Sequence, residues 1–198
     1  MKMEKKIMYV HGFQSSGCSG TVVMLRNILY ETGVRVVAPD VPVSPLEAVD
    51  LLRRTAEREQ PVLIIGTSMG AMYTEMLHGF PRILVNPSFH MSRTLMFKGM
   101  LGKHKFLNKR ADGATEFKID RNTIAEFAKV EEMLFSNIDD MERELVYGLF
   151  GKNDKFVNYQ DEFVEHYGKE HFILFDGEHQ LNDNVLKKVV LPLVKELI

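Results

Sequence analysis

The chain is poor in cysteine: Cys18 is its one thiol. No disulfide can form within it, which excludes a disulfide scaffold and fits a reducing compartment. It also lacks an excess of charge of either sign, with 25 Lys and Arg against 27 Asp and Glu. A nucleic-acid-binding domain usually carries a basic excess, so nothing here supports that class. Long hydrophobic runs are missing as well. The N-terminal stretch MKMEKKIMYVHGF has lysines but only a short apolar run before His11. That run is too short for a secretory leader or a membrane span. There is no HExxH, no cysteine cluster and no paired-histidine spacing, so no metal site is expected. These exclusions leave a soluble, cytoplasmic protein without a cofactor as the expectation.

What is present is ordinary globular material. The 198 residues are 45% hydrophobic, and a chain of this length buries roughly 70% of its unfolded surface in one domain. Short apolar runs alternate with helix-like segments. KIMYV, VRVVA, VLIIG, RILVN, LVYGLFG and FILF read as strands. Runs that are apolar on both faces and separated by helices predict a parallel sheet covered on both sides. Helices are expected at Thr21 to Thr32, from Pro45 to about Glu59, and over Asn182 to Ile198. Ser44 should cap the second, with Glu47 closing a capping box. Pro192 should kink or break the last.

The third strand ends in GTSMG, with Ser68 two residues from a glycine on each side. Beyond the carboxyl ends of parallel strands is where functional groups gather. The G-x-S-x-G pattern makes a sharp strand-to-helix turn, where glycines keep Cβ atoms away from the neighbouring strand and helix. The following helix, starting near Met69, aims unpaired N–H groups and its positive dipole end at the serine oxygen. A hydroxyl is a weak nucleophile without a base, so partners are required.

His179, in FDGEHQL after the sixth strand, is the candidate base. His166 and His171 flank the start of that strand, at the opposite end of the sheet, and His78 suits a helix end. The candidate acid is Asp154, directly after the fifth strand; Asp176 and Asp183 are its rivals, the latter also suited to cap the last helix. Ser68, Asp154 and His179 stand in the chain order of an α/β-hydrolase, each after a different strand. An oxyanion formed at Ser68 needs two donors. The Met69 N–H is one, and the loop after strand one offers Phe13 N–H, with Gln14 N–H as rival. His11 is expected to hold that loop. Gly12 to Gly17 has the glycine spacing of a phosphate loop, but Cys18 and Ser19 stand where Lys and Ser or Thr belong, so nucleotide hydrolysis is rejected. Cys18 is expected to pack as a small residue.

With YVHGFQSS, GTSMGA, VNPS, GKND and GEHQL in place, the chain resembles the α/β-hydrolases and, more closely, the small bacterial YqiA-like esterases. The resemblance implies esterase or thioesterase activity, with Ser68, Asp154 and His179 as its triad. Ala71 departs from the second glycine common at such turns, and should widen the helix–strand spacing slightly without loss of function.

The interval from Asn86 to Leu145 shows no convincing strand. Residues about 88–143 are expected to form a helical lid within the single domain 1–198. An amphipathic helix should run from Arg121 to about Phe135. Phe89, Met91, Leu95, Met96, Phe97, Met100 and Leu101, then Phe127, Met133, Leu134 and Phe135, are candidates for an acyl pocket or for the packed underside of the lid. Lys103, Lys105, Lys109 and Arg110 suit a solvated face, or an attractor of anionic substrate. The expected partner is a small acyl ester or thioester, with neither nucleic acid nor a membrane. Two rivals stay open: a peptidase or acyltransferase on the same residues, and a catalytically silent hydrolase fold used for binding.

Overall fold

The computed structural model describes residues 4–198. Met1 to Met3, which begin the stretch inspected for a leader, lie outside the described residues. The central sheet contains β1 (Lys6–Val10), β2 (Arg35–Val37), β3 (Leu63–Thr67), β4 (Arg82–Val85), β7 (Val146–Gly151) and β8 (Phe172–Phe175). Their order is β2-β1-β3-β4-β7-β8, and every pairing is parallel. The side-chain period of two explains the layers. Ile7, Tyr9, Ile65, Ile83 and Leu149 enter the core on one face. Met8, Val10, Ile64, Leu84 and Phe150 enter the core on the other. Both faces are thus buried, as the unbroken apolar runs require.

Helices α1 (Gly20–Leu29), α2 (Pro45–Glu59) and α3 (Met69–Glu75) connect the first four strands. Gly33, at φ 71, ends the turn that follows α1. Ser44 Oγ accepts the Glu47 N–H at 3.4 Å, but Glu47 does not close the expected box. Ser44 Oγ instead donates to Glu126 at 2.6 Å, a partner far along the chain.

The segment between β4 and β7, expected to be helical with no convincing strand, holds helices and also two short strands. It contains α4 (Met91–Phe97), β5 (Gly102–Lys105), β6 (Glu116–Ile119), α5 (Arg121–Glu131) and α6 (Asp140–Glu144). The strands β5 and β6 form an antiparallel ribbon in which His104 lies opposite Phe117. GKHK shows no apolar alternation because its inward residue is His104, whose ring lies 5.5 Å from that of Phe117 and whose Nε2 donates to the Met100 carbonyl at 2.7 Å. Helix α5 begins with a true capping box, Asp120 with Thr123. It ends four residues before the expected Phe135.

Helix α7 (Gln160–Tyr167) separates β7 from β8. After β8 come α8 (Asp183–Val185), a π-helical turn over Leu186–Val190 and α9 (Leu191–Leu197). The wide turn sits just before Pro192, which has no N–H to give an α-helical bond. Asn182, rather than Asp183, caps this final segment, its Oδ1 accepting the Val185 N–H at 3.0 Å. Among the described residues no helix is long and apolar enough to cross a membrane.

Candidate active site

Ser68 stands between β3 and α3 with φ 55 and ψ −121. Few non-glycine residues adopt a positive φ. The turn is tight because the flanking glycines permit it. A Cβ on Gly70 would lie 2.2 Å from the Val10 carbonyl oxygen, and one on Gly66 would lie 2.7 Å from Ala71 Cα. The Ala71 methyl is fully buried, with α3 hard against β3. The serine backbone is fixed from β4, its N–H donating to Val85 O at 3.0 Å and its carbonyl accepting the Ser88 N–H at 3.1 Å.

His179 and Asp154 meet this serine. The Ser68 hydroxyl lies 2.9 Å from His179 Nε2, and His179 Nδ1 lies 2.7 Å from Asp154 Oδ2. A carboxylate only accepts, so Nδ1 carries the proton and Nε2 turns its lone pair to the hydroxyl. The other oxygen, Asp154 Oδ1, accepts the N–H groups of Phe156 at 2.7 Å and Val157 at 3.1 Å. The Asp154 side chain is 4% exposed, which keeps its bond to the imidazole away from competing water.

The rivals lie elsewhere. Asp176 accepts from the Asn153 amide at 3.1 Å, and Asp183 begins α8. His166 stacks on Phe135 at 4.0 Å and His171 on Tyr147 at 4.1 Å. His78 faces Glu142 at 3.6 Å, beyond the end of α3, so it partners a carboxylate more closely than a helix end.

Phe13 and Ser68 line the same cavity, and Met69 opens α3. Neither the Phe13 nor the Met69 N–H has an acceptor among the described residues. Gln14, at φ 61, is tied down by its carbonyl, which accepts the Leu107 N–H at 2.8 Å. His11 holds the loop. Its Nδ1 donates to Gly12 O and its Nε2 accepts from Val41 N, each at 2.9 Å. Burial, first of all, holds its pKa below the usual imidazole value. The Gly12 to Gly17 loop is no phosphate cradle, since Asp40 already occupies the Gly17 N–H at 2.7 Å. Cys18 is exposed, which corrects its expected packing role; the loop turns its thiol outward.

The cavity beside Ser68 has a volume of about 650 Å³. Of the apolar residues expected to line it, Met91, Leu95 and Met100 do so. Phe89, Phe127 and Leu134 are buried in the core instead, and Met133 and Phe135 pack against that core. Met96, Phe97 and Leu101 are exposed. Sequence reasoning missed Met24, Leu107, Phe156, Val157, Leu181 and Leu186, which also line the cavity. Of these, Phe156, Val157 and Leu181 stand in the loops after β7 and β8, and that position was their available signal. The basic run does not line the cavity. Lys103, Lys105 and Lys109 are exposed, while Arg110 bonds to Asp112 and to the Val41 carbonyl. The lysine in the wall is Lys98, 4.9 Å from the Phe156 ring centroid. Among the described residues no cluster of His, Cys, Asp or Glu is arranged to hold a metal ion.

This sheet order, with a serine turn after β3 facing a histidine after β8, defines an α/β-hydrolase fold. Solved structures agree. Est1E from Butyrivibrio proteoclasticus superposes with a TM-score of 0.71 at 16% identity, over 99% of this chain and 90% of that one. The thioesterase domain from the curacin biosynthetic pathway gives 0.57 at 15%, over 98% and 91%. Mouse alpha/beta hydrolase domain-containing protein 10 gives 0.61 at 13%, over 98% and 90%. The chain belongs to the uncharacterised protein family UPF0227, the YqiA family, whose model matches residues 6–190.

Proposed function

We propose that this protein is a serine hydrolase cleaving carboxylic ester or thioester bonds of a small acyl substrate. The observation that carries the reading is the unbroken relay from Ser68 through His179 to Asp154, at 2.9 and 2.7 Å, opening on a cavity whose wall mixes apolar side chains with hydroxyl and amide groups. Ser68 Oγ attacks the acyl carbon while His179 Nε2 takes its proton. Asp154 holds the imidazole tautomer and stabilises the imidazolium. The Met69 and Phe13 amides stabilise the oxyanion, each worth roughly 10²–10³ in rate. His179 then protonates the leaving alcohol or thiol. Water, deprotonated by the same imidazole, releases the acid and restores Ser68. No step needs a cofactor. Residues 88–143 act as the lid, contributing Met91, Leu95 and Met100 to the acyl wall.

The test is intact mass after treatment with a fluorophosphonate, with the adduct mapped, followed by an ester and thioester chain-length screen. One adduct on Ser68 is expected, lost in His179→Ala. Ser68→Ala should lower hydrolysis by on the order of 10⁴-fold or more while leaving the fold intact. Failure of the wild type to label or to hydrolyse any ester or thioester would sink the reading in favour of a binding module. Labelling with turnover only toward amides or other acyl acceptors would replace it with a peptidase or acyltransferase.

A further inference from the structure

The segment VNPS, Val85 to Ser88, ends β4 between the strand that leads to Ser68 and the strand that leads to Asp154. Its backbone serves the serine, since Val85 O and Ser88 N–H both bond to Ser68. The Asn86 side chain serves the other two residues. Its Oδ1 accepts the Gly151 N–H at 2.7 Å, at the end of β7. Its Nδ2 donates to the carbonyls of Glu178 and His179, both at 3.0 Å. We propose that Asn86 is a positioning residue, a clamp that holds the His179 loop and the Asp154 strand in register with the Ser68 turn. Its expected effect on turnover rests on the serine-hydrolase reading; the clamp itself does not.

The chemistry of the site fixes the orientation of the amide. Turned over, it would set an oxygen against two carbonyl oxygens and an NH₂ against an N–H. Asn86 is 1% exposed, so bulk water cannot replace the lost partners. It also holds φ 44, a conformation that asparagine tolerates better than most non-glycine residues. The residue therefore meets a backbone demand and a side-chain demand together. Aspartate lacks the two donors, and leucine lacks all three bonds.

The loop it grips lies flush on β7. A Cβ on Gly151 would come within 2.6 Å of Gly177 O and 2.8 Å of Glu178 O. One further tie, Asn153 N–H to Gly177 O at 3.0 Å, comes from the acid loop. Without the Asn86 side chain, the carbonyls of Glu178 and His179 lose these donors, next to the imidazole that must meet Ser68. Asn86 does not line the cavity, so substrate contacts are left intact. Misplacement of a reacting group by about 1 Å costs on the order of 10²-fold in rate.

The test compares wild-type protein with Asn86→Gly and Asn86→Asp. Glycine keeps the left-handed backbone open and removes only the clamp. Turnover of p-nitrophenyl acetate gives kcat and KM, near-ultraviolet circular dichroism reports the fold, and proton NMR follows the downfield His179 Nδ1–H. With the fold retained, kcat should fall about 100-fold, while KM stays within about twofold. The Nδ1–H resonance should broaden or vanish. An Asn86→Gly protein with wild-type kcat and an unchanged resonance would overturn the proposal, as would a loss expressed only in KM. Should Asn86→Gly fail to fold, Asn86→Asp takes its place, a carboxylate that donates to neither carbonyl; an unchanged kcat and resonance there would overturn it equally. A wild type that shows the resonance yet hydrolyses nothing would sink the hydrolase reading. Loss of that resonance in a folded Asn86 variant would still support the clamp.

Discussion

Asp154 and Asp176 follow neighbouring strands and differ in what their oxygens touch. Asp154 accepts from His179 and from two backbone amides, whereas Asp176 accepts from Asn153. Asn at position 154 would turn an amide group toward the imidazole and disfavour the tautomer that leaves Nε2 bare. Asp154→Asn is therefore expected to lower kcat by about 10⁴-fold, and Asp176→Asn to leave it near wild type. The reverse ranking in a steady-state ester assay would discard the acid assignment. The same scale separates what GTSMG encodes from what it does not. The glycines at 66 and 70 announce a turn too tight for any Cβ. The pentapeptide says nothing of Asn86, because a small buried amide has no periodic signature.

At the scale of elements, the ends of β4, α3, α6 and α7 are joined by a buried polar cluster. Arg82, fully buried on β4, donates to the Glu142 carboxylate of α6 and to the Glu75 carbonyl of α3. The Glu75 carboxylate in turn accepts from Tyr167 OH at 2.5 Å and from Phe135 N at 3.2 Å. Burial pushes the Glu75 pKa above the usual carboxylate range. Removing one partner from such a pair leaves a buried charge without compensation. Arg82→Met is expected to cost about 3–5 kcal/mol in urea unfolding. A loss below about 1 kcal/mol would show that Glu142 finds other partners or water. The β5–β6 ribbon belongs to this scale too. Its first strand carries no apolar signal because a histidine takes the inward place, whereas EFKI in β6 alternates plainly, with Phe117 and Ile119 inward.

For the whole molecule, His11 links the Ser68 neighbourhood to global stability. Its Nε2 accepts the Val41 N–H, so the folded state needs this ring neutral, and burial depresses its pKa. The unfolded chain takes up a proton near 6.5, the ordinary value, before the folded chain does. The His11 contribution is thus present above about 6.5 and is lost as pH falls toward the folded-state pKa. His11→Asn should flatten the decline in unfolding free energy between about pH 7 and 5. An identical pH slope in the variant would place that decline in other groups.

The sequence by itself determined the parallel sheet, the serine turn and the order Ser68, Asp154, His179, each placed after a strand. These follow from local rules: apolar runs of strand length, glycines where no Cβ fits, and loops after strands. Tertiary structure decided the rest. Which residues wall the cavity, how the segment between β4 and β7 folds, and what ties the loops together all depend on contacts between distant residues. Arg82 meets Glu142 across 60 positions, and Asn86 meets Glu178 across 92. Such pairs leave no periodic trace, because their spacing is set by the path of the folded chain and not by the repeat of any helix or strand.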